Sequence, residues 1–372
     1  MKLIPESAAV QLEFDKIKAL LANYCQSEYA REKARTLRIH TRLEFAETEL
    51  RQTHEYRQLL SNAIYFPNDY IFNLTRELKM LSVPGAVLSA DNLQQIRKLA
   101  ETAEKIFRWF DMERKQAYPA LTKIISGSRY EKAIALLIDD VLDETGQVKD
   151  SASDELKAIR MNLYRKRNEL RRLFEKIIAR LNKQGYLAEI EESFMNGRRV
   201  VAVFAEQKRT VKGILHGESD SRKTAFIEPE ETIELNNTVY ELESNERKEV
   251  YRILRDLTGN LSAYADLLWN WHTMTGEFDF IRAKAKLGVE MMGEFPELTD
   301  KAALHLVDAV HPLLYLYNQR SGKQTVPLCI SLDNDKRVLV ISGPNAGGKT
   351  VAMKTVGMLQ IMLQSDLLLP QP

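Results

Sequence analysis

The sequence predicts a mainly α-helical chain. It reads as a helical core, then a long antiparallel coiled-coil lever with a small β clamp at its tip, then the start of an α/β P-loop ATPase domain. Three observations carry this. Apolar residues recur every seven positions through a charged stretch after Ser153, a Val- and Ile-rich alternating segment follows, and "GPNAGGKT" stands at 343–350 of 372 residues. The expected divisions are 1–152 for the core, 153–187 for the outgoing lever helix and 188–235 for the clamp. The returning helix takes 236–296, and 297–372 begins the ATPase domain.

In the core, amphipathic helical segments are separated by short breaks. "FPNDY" at 66–70 and "SVPGAVLSADNL" at 82–93 punctuate them. Ser89, ahead of Asp91 and Asn92, has the chemistry of a helix start, because a serine oxygen can accept a free first-turn N–H. The acidic run 139–156 lacks calcium-loop spacing, so a turn is expected around Thr145-Gly146.

The lever rests on Leu156, Leu163, Leu170 and Ile177, with Ile159, Leu173, Phe174 and Leu181 filling the adjacent stripe. A second run, Val250, Leu254, Leu257, Leu261, Tyr264, Leu268 and Trp271, steps by fours and threes and supplies the other arm. Arms of about 33 residues would span roughly 50 Å and would have to bury their stripes against each other.

Between the arms, 198–237 alternates, is rich in Val and Ile, and is broken by Gly213, Gly217 and Pro229. Residues 194–225 hold seven Lys or Arg against three acids. Such a positive tip suits phosphate-backbone contact through Arg198, Arg199, Lys208, Arg209, Arg222 and Lys223. A solvated hairpin whose charges only confer solubility is the competing reading.

The loop at 343–350 fits G-x-x-x-x-G-K-[ST] and is the most specific signal in the chain. Val338–Ile341 ahead of it has the look of a buried strand, and 351–363 carries helical apolar spacing. Gly343, Pro344, Asn345, Ala346, Gly347 and Gly348 would wrap ATP phosphates with backbone N–H groups. Lys349 would reach the β- and γ-phosphates, and the Thr350 hydroxyl would hold Mg²⁺. After Thr350 no acidic residue closes an apolar strand to hold Mg²⁺ from its other side. The expectation is therefore a chain cut just after the first ATPase helix, binding ATP without turning it over.

Composition excludes other classes. Lys plus Arg is 53 and Asp plus Glu is 52, so only a local patch can attract nucleic acid. Cys25 and Cys329 have no metal-ligand spacing, and the six histidines form no H-x-x-x-H pair. No apolar run approaches the roughly 18 residues of a membrane span, and the N-terminus lacks a signal-peptide core. A cytoplasmic location is expected.

These residues resemble the MutS family over nearly the whole chain, and within it the second bacterial branch of endonucleases. The resemblance lies in "LEFDKI" (12–17), "LDETGQVKDSASDELKAIR" (142–160), "NGRRVVAV" (196–203), "GILHGESDSRKTAFIEP" (213–229), "ELNN" (234–237) and "GPNAGGKTVAMKTVG" (343–357). Two positions depart from the branch pattern, Arg222 in "SRKT" and Asp366 after Gln-Ser, both where glycine is usual. The resemblance implies an ATP-dependent clamp on nucleic acid, homodimeric at full length, that binds branched DNA to suppress recombination or acts on stalled, collided ribosomes. It also implies an ATPase and a C-terminal nuclease in the full-length protein, and places His311 of "HPLL" near the adenine, with Val326-Pro327 further along the same pocket.

Mismatch reading is a lesser expectation. Phe45, Phe204, Phe226 and Phe295 each begin Phe-x-Glu, but none lies in a domain ahead of the core. An arm-bearing ATPase of the chromosome-maintenance type is the other alternative, disfavoured because its phosphate loop precedes its coiled coil.

Overall fold

The computed structural model describes residues 7–40, 42–344 and 348–371. Among the described residues, nine helices come first: α1 (Ala8–Gln11), α2 (Phe14–Tyr24), α3 (Glu28–Arg35), α4 (Leu43–Ser61), α5 (Thr75–Leu81), α6 (Ala90–Trp109), α7 (Met112–Ala117), α8 (Pro119–Ile125) and α9 (Lys132–Val141). The long helix α10 (Asp154–Lys183) leads to β1 (Leu187–Met195), β2 (Arg198–Phe204), β3 (Gly213–Glu218) and β4 (Thr224–Pro229). Then come α11 (Ile233–Ser262), α12 (Ala265–Glu290), β5 (Gly293–Glu294), β6 (Leu304–Ala309), α13 (Pro312–Arg320), β7 (Leu328–Leu332), α14 (Lys349–Gln364) and β8 (Leu369–Pro370). The chain divides into two compact units. One is Val83–Gln94 with Leu136–Ser262, and the other is Met1–Ser82, Gln95–Ala135 and Ala263–Pro372.

In the first of these units, α10 starts where the Ser153 hydroxyl accepts the Leu156 N–H at 2.9 Å, with Asp154 and Glu155 facing the positive end of the helix dipole. Leu156, Leu163, Leu170 and Ile177 are all buried, as the seven-residue repeat requires. Gly185, at φ 71, ends the helix while the Tyr186 N–H returns to the Leu181 carbonyl. Helix α11 runs antiparallel beside it: Arg160 pairs with Glu246, Arg167 with Glu243 and Arg180 with Glu231 in the turn just ahead of α11, so partner numbers fall as α10 advances. Each helix has 30 residues, about 45 Å of rod.

The second apolar run does not continue as one arm. It breaks between Ser262 and Ala265, and α12 belongs to the other unit. The change of face explains this. Trp271, His272, Met274, Phe278, Phe280 and Ile281 are all buried around α12, so it is a central core helix rather than a helix with one apolar stripe.

The sheet is antiparallel in the order β1-β2-β4-β3. Asn196 and Gly197, at φ 51 and 76, form the two-residue turn between β1 and β2, where both positions need positive φ. Val201, Val203, Ala225 and Ile227 share one apolar cluster with Leu170, Phe174, Ile177 and Leu181 of α10 and Val239 of α11, which seats the sheet on the end of the helix pair. At the expected Thr145-Gly146 turn, the Asp143 carboxylate accepts the backbone N–H groups of Thr145 and Gln147, and Leu142 pairs with Val148.

In the other unit, Phe14, Ile17 and Leu21 of α2 share a core with Phe280, Ala283 and Leu287 of α12 and with Met358, Leu359 and Met362 of α14. Strands β6 and β7 pair antiparallel on either side of α13 in sequence. Val338–Ile341 differs from its expectation: it is not a strand, and all four side chains are exposed. A buried central strand needs ladder partners on both edges and helices over both faces, and none of the described strands pairs with this segment. No helix among the described residues is long and apolar enough to cross a membrane.

Candidate nucleotide and nucleic-acid sites

Helix α14 begins at Lys349 behind Gly348, whose φ of 81 is a left-handed turn that glycine takes without cost. The Lys349 ammonium donates to the Gly343 carbonyl, laying the side chain along its own loop. Asn345, Ala346 and Gly347 lie outside the described residues. Thr350, one residue into the helix, lines a cavity of about 690 Å³ together with His311, Glu13, Lys16, Tyr317 and Lys354.

His311 enters this cavity as the residue ahead of α13, with Pro312 fixing the first helical position. It is buried, and its Nδ1 has no hydrogen-bond partner among the described residues. Burial pushes its pKa below the ordinary imidazole value, Glu13 opposes that and Lys354 adds to it, so the ring is neutral at pH 7. A neutral ring with an open nitrogen beside apolar Leu313 and Leu316 suits an aromatic base. The structure thus brings His311 and Thr350 to one cavity. Val326, by contrast, is exposed in the approach to β7. Glu13 and Lys354, 3.7 Å apart in the cavity wall, were not singled out from the sequence, because nothing local distinguishes them from other surface charges.

Around the β1–β4 sheet, the six candidate cations separate into two groups. Arg198 bonds Glu228 at 2.8 Å and Asn237 at 2.6 Å, Arg199 makes a two-pronged contact with Glu192 and lies over the Phe174 ring, and Lys208 pairs with Glu218. Arg209, Arg222 and Lys223 are exposed and make no ion pair among the described residues.

Glu228 is the hub of this region. Its side chain is fully buried, and it accepts from Arg198 at 2.8 Å and Asn236 at 3.0 Å while its other oxygen meets His216 Nε2 at 2.7 Å. Asn236 also bridges the Arg199 carbonyl and N–H, so parts of "NGRRVVAV", "GILHG", "FIEP" and "ELNN" meet in one polar network. A carboxylate inside the apolar run "AFIEP" was the signal that could have found it, since a buried charge needs partners.

No protein-family model matches the chain. Among curated proteins it is similar to Endonuclease MutS2 of Aquifex aeolicus (strain VF5), 30% identical over 365 residues, which is 98% of this chain and 46% of that protein. The Endonuclease MutS2 of Geobacillus thermodenitrificans (strain NG80-2) is 32% identical over 96% of this chain and 45% of its own length. That of Thermomicrobium roseum is likewise 32% identical, over 96% of this chain. The likeness supports a MutS2-type family. The chain spans less than half the length of each of these MutS2 relatives.

The two departures from the MutS2-type pattern have a common geometry. Arg222 and Asp366 both stand at positive φ, 54 and 59, where a side chain is strained and glycine is at ease. Arg222 turns the β3–β4 connection, and Asp366 follows the end of α14.

Proposed function

We propose that this chain is part of a MutS2-type, ATP-dependent clamp on nucleic acid. In the whole protein the activity would be ATP hydrolysis, with nuclease activity as the relatives' name states, and the acting form a homodimer. Gly343, Pro344, Gly348, Lys349 and Thr350, with Asn345, Ala346 and Gly347 completing the loop, would hold the ATP phosphates. Thr350 would bind Mg²⁺ and His311 would face the base. The helix pair α10–α11 would act as a coiled-coil lever joining the sheet to the remainder of the chain, whose last part begins the P-loop domain. Arg209, Arg222 and Lys223 would meet phosphate backbone, of branched DNA in suppressing recombination or of a collided ribosome; Arg198, Arg199 and Lys208 would mainly hold the clamp's shape.

The observation that carries the reading is the meeting of His311 and Thr350, 39 positions apart in sequence, at one cavity beside the start of α14. A neutral imidazole and a loop-end hydroxyl lining one cleft suit the base and the phosphates of a nucleotide. The test is titration of the chain with a fluorescent ATP analogue and Mg²⁺. Lys349→Ala and His311→Ala should each weaken binding at least about tenfold, roughly 1.4 kcal/mol. Equal affinity in the parent and both variants would remove the nucleotide assignment.

A further inference from the structure

His40, Glu49 and Asp366 come from three separate segments: the stretch after α3, helix α4, and the residue two past the end of α14. The His40 backbone N–H donates to the Gln364 carbonyl at 2.7 Å, which seats the imidazole against the end of α14. Its Nε2 is then 3.1 Å from Asp366 Oδ2 and 3.9 Å from Glu49 Oε1. One donor atom from each residue lies within 4.8 Å of the others. Asp366 is 1% exposed, and its Oδ1 has no hydrogen-bond partner among the described residues.

The charges in this pocket do not balance. Two carboxylates face each other, and Lys284, itself buried, lies 3.5 Å from Glu49 Oε2 and neutralises one of them. Lys33 is engaged by Glu277 at 2.7 Å, and Arg38 lines the adjoining cavity. Set against the Lys284 ammonium, the two carboxylates leave one negative charge to be offset at the place where His40 Nε2 meets Asp366. A proton, on His40 or on a carboxyl, or a bound cation occupies that place, because the buried Asp366 carboxylate beside the half-exposed Glu49 carboxylate is costly to leave ionised without a positive partner.

We propose that His40 Nε2, Glu49 and Asp366 bind a divalent transition-metal ion, zinc by preference. One imidazole nitrogen with two carboxylate oxygens is a zinc or manganese donor set, whereas calcium takes oxygen alone. Donors at 2.0–2.1 Å around a tetrahedral ion stand roughly 3.3 Å apart, and the separations above bracket that distance. The fourth position opens toward a cavity of about 610 Å³, lined by the same three residues together with Lys33, Thr36 and Thr75, where water or a small anion could complete the ion's shell.

The positive φ of Asp366 makes a clean variant available. Asp366→Gly removes a donor and relieves backbone strain, so loss of folding is not its expected consequence. The 372-residue chain, stripped of metal by a chelator, is titrated with Zn²⁺ by calorimetry and with Co²⁺ by visible absorption. The parent should take up one Zn²⁺ and give the intense Co²⁺ bands of a low-symmetry site. Asp366→Gly and His40→Gln should each lose at least about tenfold in Zn²⁺ affinity, and the Zn²⁺-induced rise in Tm should vanish. Absence of uptake by the parent means a proton fills the site and overturns the proposal. Uptake that persists unchanged in both variants places the ion elsewhere, at Cys25, Cys329 or another histidine, and overturns it equally.

Discussion

Arg222 shows how one residue serves two demands that pull apart. At φ 54 its Cβ crowds the backbone, while its guanidinium adds charge to the exposed end of the β3–β4 turn. Arg222→Gly should therefore stabilise the chain by about 1 kcal/mol and lower the log–log salt slope of duplex-DNA binding by at most about 0.9. Thermal unfolding and titrations at two salt concentrations read the two effects separately. A fall in Tm would contradict the strain argument, and an unchanged slope would mean that the side chain faces only water. Glu228 is the opposite case, a charge whose every partner is inside the protein. Glu228→Gln keeps the volume but strands Arg198 beside a neutral amide, and should cost about 3 kcal/mol in urea unfolding. A cost below 1 kcal/mol would show that the network adjusts, and that the sheet is held by apolar packing alone.

At the scale of elements, the helix pair owes its existence to a narrow stripe. Leu163 and Leu170 are 3% and 5% exposed, and both belong to the cluster that joins the helices to the sheet. Replacing both by Asp puts two carboxylates into that seam, each costing several kcal/mol unless the helices part. Parting is the cheaper outcome, since long polar-faced helices have no other core to lean on. Circular dichroism should show a fractional loss of helix with an early unfolding step, while the near-UV signal of Trp109 and Trp271 in the other unit persists. A double variant that unfolds at the parent temperature in a single step would show that α10 and α11 do not depend on each other.

Across the whole molecule, the buried His272 and His311 and the half-buried His54 set a pH dependence. Burial lowers the pKa of His54, His272 and His311 below the ordinary 6.5. Between each lowered folded value and 6.5 the unfolded chain binds more protons than the folded one, so stability falls as pH drops through that window and levels off below it. Each fully neutral group contributes up to about 1.4 kcal/mol per pH unit there. The buried Asp366 carboxyl, raised to about 8, acts in the opposite sense, so the histidine contribution is read as a difference: lowering the pH from 7.5 to 5.5 should change Tm less unfavourably in His272→Gln/His311→Gln than in the parent. Identical slopes would assign the acid sensitivity to other groups.

The sequence by itself determined the parts whose rule is local. The seven-residue stripe of α10 predicts which side chains are buried, and the change of pattern at Ser153 marks where that helix begins, because periodicity acts within a few residues. The turn at Thr145-Gly146 and the alternating run of the clamp are legible for the same reason. The tertiary structure decided everything that depends on what lies across a gap in sequence. The second apolar run looks continuous, yet it parts at Ser262 because residues beyond it are surrounded on all sides by α2, α3 and α4. Val338–Ile341 has the composition of a buried strand, but a strand is made by its neighbours and none of the described strands pairs with it. Arg198 and Arg199 counted as free positive charge until Glu228 and Glu192 were found beside them. Asp366 stood out in the sequence only as a departure at a glycine position. Its partners His40 and Glu49 are more than 300 residues away, and only packing brings three such polar side chains within reach of one another, which is where their chemistry begins.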